Sequence, residues 1–325
     1  MKKAHRFALL AGLLPAAAFA VWAFSAAPAT AAQSAGASET CKGCHAAYVE
    51  TYEASIHGKK GHPRTPANAG ECTACHANSL EHAQKGGGRG VGGIVNPSPR
   101  NKTMSAEQKS QICLSCHAGS RHLAFWESGR HKKNDVSCTE CHSTHGGNPQ
   151  LLNVRNPPIQ PLQTHTQVPQ QEVCFNCHRD IRAQLLRPSH HPVVEGKIKC
   201  SSCHNPHGAL SPNMVNSETI NQLCTSCHAD KRGPFLFDHP PVEENCMNCH
   251  TPHGGRSAKL LREKVPNLCQ DCHDAAQHPG TMYDQRNAFG GSAPANRFFA
   301  RACLNCHNEI HGSNHPASRG RRFVR

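Results

Sequence analysis

Ten times in this sequence two cysteines stand three positions apart, and the second is followed at once by histidine. The copies open at Cys41, Cys72, Cys113, Cys138, Cys174, Cys200, Cys224, Cys246, Cys269 and Cys303. Their second cysteines are Cys44, Cys75, Cys116, Cys141, Cys177, Cys203, Cys227, Cys249, Cys272 and Cys306, so all 20 cysteines are used. The histidines are His45, His76, His117, His142, His178, His204, His228, His250, His273 and His307. Residues i, i+3 and i+4 share one face of a helical turn. Two thiols on that face can add to the two vinyl groups of one haem, and the histidine beside them can reach the iron from the same side. Cys-x-x-Cys pairs also hold zinc or act as redox dithiols. Neither use requires a histidine in the fifth position every time. With 26 histidines in 325 residues, ten matches in ten are not chance. The pattern predicts ten covalent haem c groups, each with a proximal histidine.

The remaining histidines are placed regularly. Each odd-numbered motif is followed at some distance by one: His57, His131, His191, His239 and His278. Each even-numbered motif is followed within a few residues by another: His82, His145, His207, His253 and His311. The strings Cys-His-Ser-Thr-His-Gly (141–146), Cys-His-Asn-Pro-His-Gly (203–208) and Cys-His-Thr-Pro-His-Gly (249–254) repeat this spacing. The chain thus reads as five di-haem units, with ten distal imidazoles for ten irons. Bis-histidine ligation leaves no open site for a substrate and gives lower potentials than His/Met ligation. His190 could stand in for His191, and His315 for His311. His191 is preferred because His191-Pro192-Val193-Val194-Glu195 resembles His239-Pro240-Pro241-Val242-Glu243. Which distal histidine serves which iron stays open, as does the order of the haems in space.

The elements that position these turns are expected to be short. Ser105-Ala106-Glu107-Gln108 has the spacing of a capping box leading into the third motif. Ser217 is a candidate N-cap before the seventh, and residues 46–55 could form a helix after the first. No strand alternation of useful length is present. Gly86-Gly-Gly-Arg-Gly-Val-Gly-Gly93 reads as a flexible loop. Residues 156–171, with four prolines, read as an extended connector.

Composition supports a cofactor-filled interior. Aromatic residues are 5% and hydrophobic residues 37% of the chain, a figure that already includes the cysteines. That is thin for a chain of this length built on a side-chain core. The expected fold is haem-cored and extended, mostly coil with short α-helices and little or no β. Residues 1–31 read as a signal peptide, with Lys2, Lys3 and Arg6 before an apolar run and Ala29-Thr30-Ala31 as a cleavage site. The rest divides near residue 190 into two pentahaem halves, 32–190 and 191–325.

The formal net charge is +13, and removing the leader's three cations leaves +10. Ten haems, with two propionates each against the iron's charge, add roughly −10 when oxidised and about −20 when reduced. The basic residues therefore compensate propionates, and a nucleic-acid partner is not implied. Arg319, Arg321, Arg322 and Arg325 form a terminal cluster, to be read as a solvated tail or as a docking segment.

The ten-motif spacing, the di-haem strings and the ending Cys-Leu-Asn-Cys-His-Asn-Glu-Ile-His-Gly-Ser-Asn-His-Pro (303–316) closely resemble the decahaem periplasmic cytochromes of the MtrA, MtoA and DmsE type, over roughly residues 39–325. The resemblance implies a protein that sits inside an outer-membrane β-barrel porin. There it would link periplasmic electron carriers to an extracellular cytochrome or substrate, in metal reduction, iron oxidation or dimethyl sulfoxide respiration. A file of ten haems running to roughly 80–100 Å would exceed the 40–45 Å of a bilayer with its headgroups. A polar, cofactor-cored chain cannot face lipid directly, and a barrel would sheath it. The alternative is a soluble periplasmic shuttle to a terminal reductase. A multihaem reductase is disfavoured, because it needs an open iron and every motif here ends in histidine. The residues do not give the direction of current or the identity of donor and acceptor.

Overall fold

The computed structural model describes residues 37–145, 170–273 and 302–324. The leader, most of the proline-rich connector and His278 lie outside these. The described chain is mostly turns and coil punctuated by short helices, with one antiparallel pairing of Ser189–His190 with Gly254–Gly255.

The helices alternate in kind along the motifs. The first, third, fifth, seventh and ninth motifs begin on α-helices, Ala37–Ala54, Ala106–His117, Gln170–Phe175, Ile220–Thr225 and Asn267–Gln270. The second, fourth, sixth and eighth begin on single 3-10 turns, Glu71–Ala74, Cys138–Glu140, Cys200–Ser202 and Cys246–Asn248. In both settings the histidine N–H closes an α-type bond to the first cysteine's carbonyl, as in His76 to Cys72 (2.9 Å), His228 to Cys224 (2.9 Å) and His307 to Cys303 (2.7 Å). This one turn gathers the two sulfurs and the imidazole on one side.

Capping explains where several helices start. Ser105 Oγ accepts from Gln108 N at 3.1 Å, and Gln108 Oε1 accepts from Ser105 N at 2.8 Å, the reciprocal box expected from the sequence. Before the seventh motif the cap is Thr219, not Ser217. Thr219 and Gln222 make the same two bonds at 3.1 and 3.2 Å, whereas the residue three beyond Ser217 is Ile220, which has no side-chain acceptor. The first helix also begins earlier than its apolar pattern indicated. It runs Ala37–Ala54 through the first motif, with a break at His45 (φ −123°, ψ 36°), and that break makes the later part look like a separate helix.

The glycine run 86–93 is not a loose linker. Six of its glycines have positive φ, and the run curls over the helix Ser79–Gln84. A Cβ on Gly92 (φ +70°) would lie 2.6 Å from His82 N, so only glycine lets the wrap come this close.

A side-chain core is small. Phe175, Leu185 and Val193 are buried together, with Ile181 and Ile198 packed against them. The other buried apolar residues are few and scattered, including Val49, Tyr52, Trp126 and Val215.

Candidate haem-binding sites and their spacing

Nine of the ten motif histidines each face one second histidine. The ring centroids of His45 and His82 are 6.4 Å apart, of His117 and His57 6.1 Å, of His76 and His145 5.9 Å, and of His178 and His131 6.2 Å. The same holds for His142 and His207 (5.8 Å), His228 and His191 (6.3 Å) and His204 and His253 (6.0 Å). His273 and His239 (6.1 Å) and His250 and His311 (6.2 Å) complete the set. The motif histidine left over is His307, and the candidate distal histidine left over is His278, outside the described residues.

The pairing follows a rule that spacing alone did not reveal. Even motifs from the second to the eighth face the histidine that follows the motif two places downstream. Odd motifs from the third to the ninth face the one that follows the motif two places upstream. The first motif has nothing upstream and faces His82, beside the second.

The two pairs of alternative positions differ in what they touch. His191 faces His228, while His190 donates through Nδ1 to Arg187 O at 2.6 Å and lies 2.8 Å from Glu195 Oε1 through Nε2. His311 faces His250, while Nδ1 of His315 accepts from Ala317 N at 3.2 Å.

These pairs fit an iron between them. A metal–imidazole nitrogen bond is about 2 Å, and adding the ring radius on each side puts the two centroids about 6 Å apart. Orientation agrees as well. Nδ1–H donates to a backbone carbonyl in His76 (Val95 O, 2.9 Å), His82 (Val91 O, 3.0 Å), His145 (Tyr48 O, 3.3 Å) and His131 (Pro206 O, 2.8 Å). It does so too in His191 (Pro252 O, 2.5 Å), His204 (Asn213 O, 3.0 Å), His239 (Ile310 O, 3.0 Å) and His250 (Lys259 O, 2.9 Å). Such a bond fixes the tautomer and leaves Nε2 bare for a metal. Burial also holds His57, His76, His145, His207, His239, His253 and His311 below the usual histidine range, so these rings are neutral with the lone pair available. Among the described residues no three His, Cys, Asp or Glu side chains converge on a bare metal ion, so the geometry offers no zinc cluster.

Local folding explains the carbonyls. After the sixth motif Asn213 and Met214 both take left-handed φ (57° and 55°), and after the eighth Lys259 and Leu260 do the same (both 58°). Each kink turns one carbonyl, of Asn213 or Lys259, onto the motif imidazole. The glycine wrap supplies the Val91 carbonyl to His82, which faces the first motif, and Val95, just beyond it, supplies its carbonyl to His76 of the second. The Cys-His-x-x-His-Gly strings at 203–208 and 249–254, and the one-residue-longer Cys-His-Asn-Glu-Ile-His-Gly at 306–312, carry a second duty. Pro206 O holds His131, Pro252 O holds His191 and Ile310 O holds His239, so the residue before each of His207, His253 and His311 steadies the distal imidazole of the next motif along. The following glycine permits the contact: a Cβ on Gly208 (φ +114°) would lie 2.1 Å from Phe125 O, and one on Gly254 2.1 Å from Gln184 O.

The sulfurs form one continuous series. Burial and then the neighbouring Cys72 thiol push Cys41 up to about 11. Cys113 donates to Cys138, which raises Cys113 and holds Cys138 down at about 6; Cys174 and Cys200 are related in the same way, with Cys200 at about 7. Burial and then Cys246 raise Cys224 to about 11, and burial and then Cys303 raise Cys269 to about 12. These are the first cysteines of motifs 1·2, 3·4, 5·6, 7·8 and 9·10. The second cysteines meet in the other register. After burial, the next largest influence on Cys75 is Cys116, on Cys141 Cys177, on Cys203 Cys227 and on Cys249 Cys272. Each motif's sulfurs are therefore near enough to influence electrostatically those of the motif before and the motif after, from the first to the tenth.

Turns that present two thiols and an imidazole, repeated in single file with a second imidazole opposite, define a multihaem c-type cytochrome. Comparisons with known proteins agree. A doubled CXXCH motif model matches residues 190–233 and 239–278, and a cytochrome c-type protein NrfB-like model matches 72–160. Multiheme cytochrome MtrA of Shewanella baltica (strain OS185) is 37% identical over 284 residues, 86% of this chain and 80% of that protein. The chain belongs to the MtrA family of multihaem cytochromes, which carry covalent haem c and transfer electrons.

Proposed function

We propose that this chain is a decahaem electron conduit. Each Cys-x-x-Cys pair would tether one haem through thioethers, with the motif histidine as proximal ligand and the facing histidine as distal ligand. The pairing rule closes at the far end by assigning His278 to His307, the mirror of His82 with His45. Each haem, when bound, supplies an iron that cycles between ferric and ferrous states. The chain's own residues do the rest: the sulfurs fix spacing, the carbonyls on Nδ1 set ring orientation and ligand basicity, and two imidazoles per site keep substrate off the iron.

The observation that carries this reading is the series of sulfurs near enough to influence one another electrostatically, running in motif order. Tunnelling falls off steeply with distance, so a path needs every consecutive pair close, and no step in this series is skipped. By count the midpoint falls near residue 190, with haems 1–5 before it and 6–10 after. The two halves are interlocked, because His142 faces His207 and His131 is held by Pro206 O.

We place the protein in the periplasm, within an outer-membrane β-barrel porin, passing electrons between periplasmic carriers and an extracellular cytochrome or substrate. Among the described residues no helix is long and apolar enough to cross a membrane. Detergent extraction of outer membranes should bring down the cytochrome with a barrel protein. Recovery only as a free soluble monomer would favour a periplasmic shuttle. Carbon monoxide should not bind the reduced protein stoichiometrically. Binding at one haem would mark an open iron and a reductase instead.

A further inference from the structure

Arg319, Arg321 and Arg322 belong to a folded turn that reaches back to the last two sites. Ser318–Arg321 is a single helical turn, and Phe323 N donates to Gly320 O at 2.9 Å and Val324 N to Arg319 O at 3.1 Å. Three contacts tie this turn to the last two sites. Arg322 O accepts from Nδ1 of His307, the tenth motif histidine, at 2.5 Å. Phe323 O accepts from Glu309 N at 3.1 Å, two residues beyond that histidine. The Phe323 ring lies 5.2 Å from the ring of His239, which faces His273 of the ninth motif.

The turn is held against local preference. Phe323 has φ +56°, a conformation that a bulky residue keeps only where its surroundings impose it. Gly320 is buried, and a Cβ there would lie 2.0 Å from His315 O. The Arg321 guanidinium sits 6.0 Å over Phe237, whose N–H and C=O both pair with Ser313 at 2.9 Å. The His239 segment, the His311 segment and the terminal turn thus form one packed unit.

We propose that residues 318–324 are a clamp that positions the axial imidazoles of haems 9 and 10, and so sets the redox character of the C-terminal end of the wire. The clamp acts in two separable ways. The Arg322 carbonyl fixes His307 and raises its basicity through Nδ1. The Phe323 ring packs on His239 and excludes water from that side. The proposal rests on the ligand assignments above.

The test uses the full haem-loaded protein, a truncation after Ala317, and Phe323→Gly. Glycine is at ease at φ +56°, so Phe323→Gly keeps the turn and the Arg322 carbonyl while removing only the ring. Haem number is read by intact mass, and the low-spin haem signals by electron paramagnetic resonance during redox titration. The expected result is that Phe323→Gly moves the signal of one haem, and the truncation moves two, with the remaining signals and the haem count as in the wild type. Spectra of both variants superimposing on the wild type would overturn the clamp. Loss of haem from the truncation, with Phe323→Gly still unmoved, would overturn it equally. A wild-type protein without bis-imidazole low-spin haems would instead bring down the ligand assignments themselves.

Discussion

The imidazoles of His142 and His207 lie 5.8 Å apart with their planes inclined by only 22°, although they sit on opposite sides of the chain's midpoint. Trp126, 5% exposed, stands against the His207 ring at 6.5 Å, and its indole N–H has no partner among the described residues. If His207 is the distal ligand of the fourth haem, His207→Met replaces imidazole with a thioether. Methionine raises the potential, and a shift on the order of 0.1 V is modest within the roughly 0.8 V that axial ligands span. Redox titration should show one haem of ten moved upward, with a new methionine–iron charge-transfer band. An unchanged titration would remove His207 from the ligand set.

Adjacent histidines allow a sharper contrast. His190 and His191 are neighbours in sequence and differ entirely in what they touch. His191 faces His228 with Nδ1 on Pro252, whereas both nitrogens of His190 are engaged by Arg187 and Glu195. His191→Ala should leave one haem without its sixth ligand and create a site for carbon monoxide on the reduced protein. His190→Ala should leave all ten haems low-spin and cost little stability, because its ion pair with Glu195 is at the surface. The reverse outcome would exchange the two assignments.

That the chain is a multihaem c-type cytochrome was legible in the sequence because covalent attachment uses a contiguous motif. Pairing was not, since the facing ring comes from two motifs away and no local spacing encodes that distance. The five di-haem units were a true periodicity with an incomplete meaning. Cys41 meets Cys72 within a unit, but Cys75 meets Cys116 between units, so the units merge into one file. The doubled-motif family model makes the complementary grouping, spanning the sixth with the seventh motif and the eighth with the ninth. The glycine run 86–93 misled because its composition matches a linker. Its contact with His82, which needs glycine at position 92, is a tertiary fact that composition does not carry. Ser105 was readable because both halves of its cap are local; before the seventh motif the cap falls on Thr219 and not Ser217, because only Thr219 has a side-chain acceptor, Gln222, three residues on.

Gly208 tests why the Cys-His-x-x-His-Gly string ends as it does. An alanine Cβ there would meet the Phe125 carbonyl at 2.1 Å, at a φ of +114° that alanine avoids. Backbone strain of this kind costs on the order of 1–3 kcal/mol, and the displaced segment carries His207 and the Pro206 carbonyl that holds His131. Gly208→Ala should therefore lower the denaturation midpoint and perturb haems 4 and 5 together in a redox titration. A change confined to one distant haem, or none, would show that the close approach has no role.

The helix Ala106–His117 presents a purely local prediction. Ser105→Ala removes the acceptor for Gln108 N while leaving every haem ligand in place. Loss of such a cap costs about 1 kcal/mol, and Gln108→Ala, which removes the other half of the box, should cost a similar amount. The double variant should cost less than the sum, since each half orients the other. Denaturant titration of the haem-loaded protein checks this, and full additivity would mean that the two bonds act independently.

The last prediction concerns the interior. Among the described residues the apolar cluster is little more than Phe175, Leu185 and Val193. Folding must offset the conformational entropy of the whole chain, and this cluster is far too small to do so. When a cofactor holds the elements together, its binding free energy is the folding free energy. The chain made without haem attachment should therefore show little helical circular dichroism and no cooperative thermal transition. The haem-loaded protein should melt cooperatively. A cooperative transition in the haem-free chain would mean that the polypeptide supplies a core of its own, and the account of haem as the structural interior would fail.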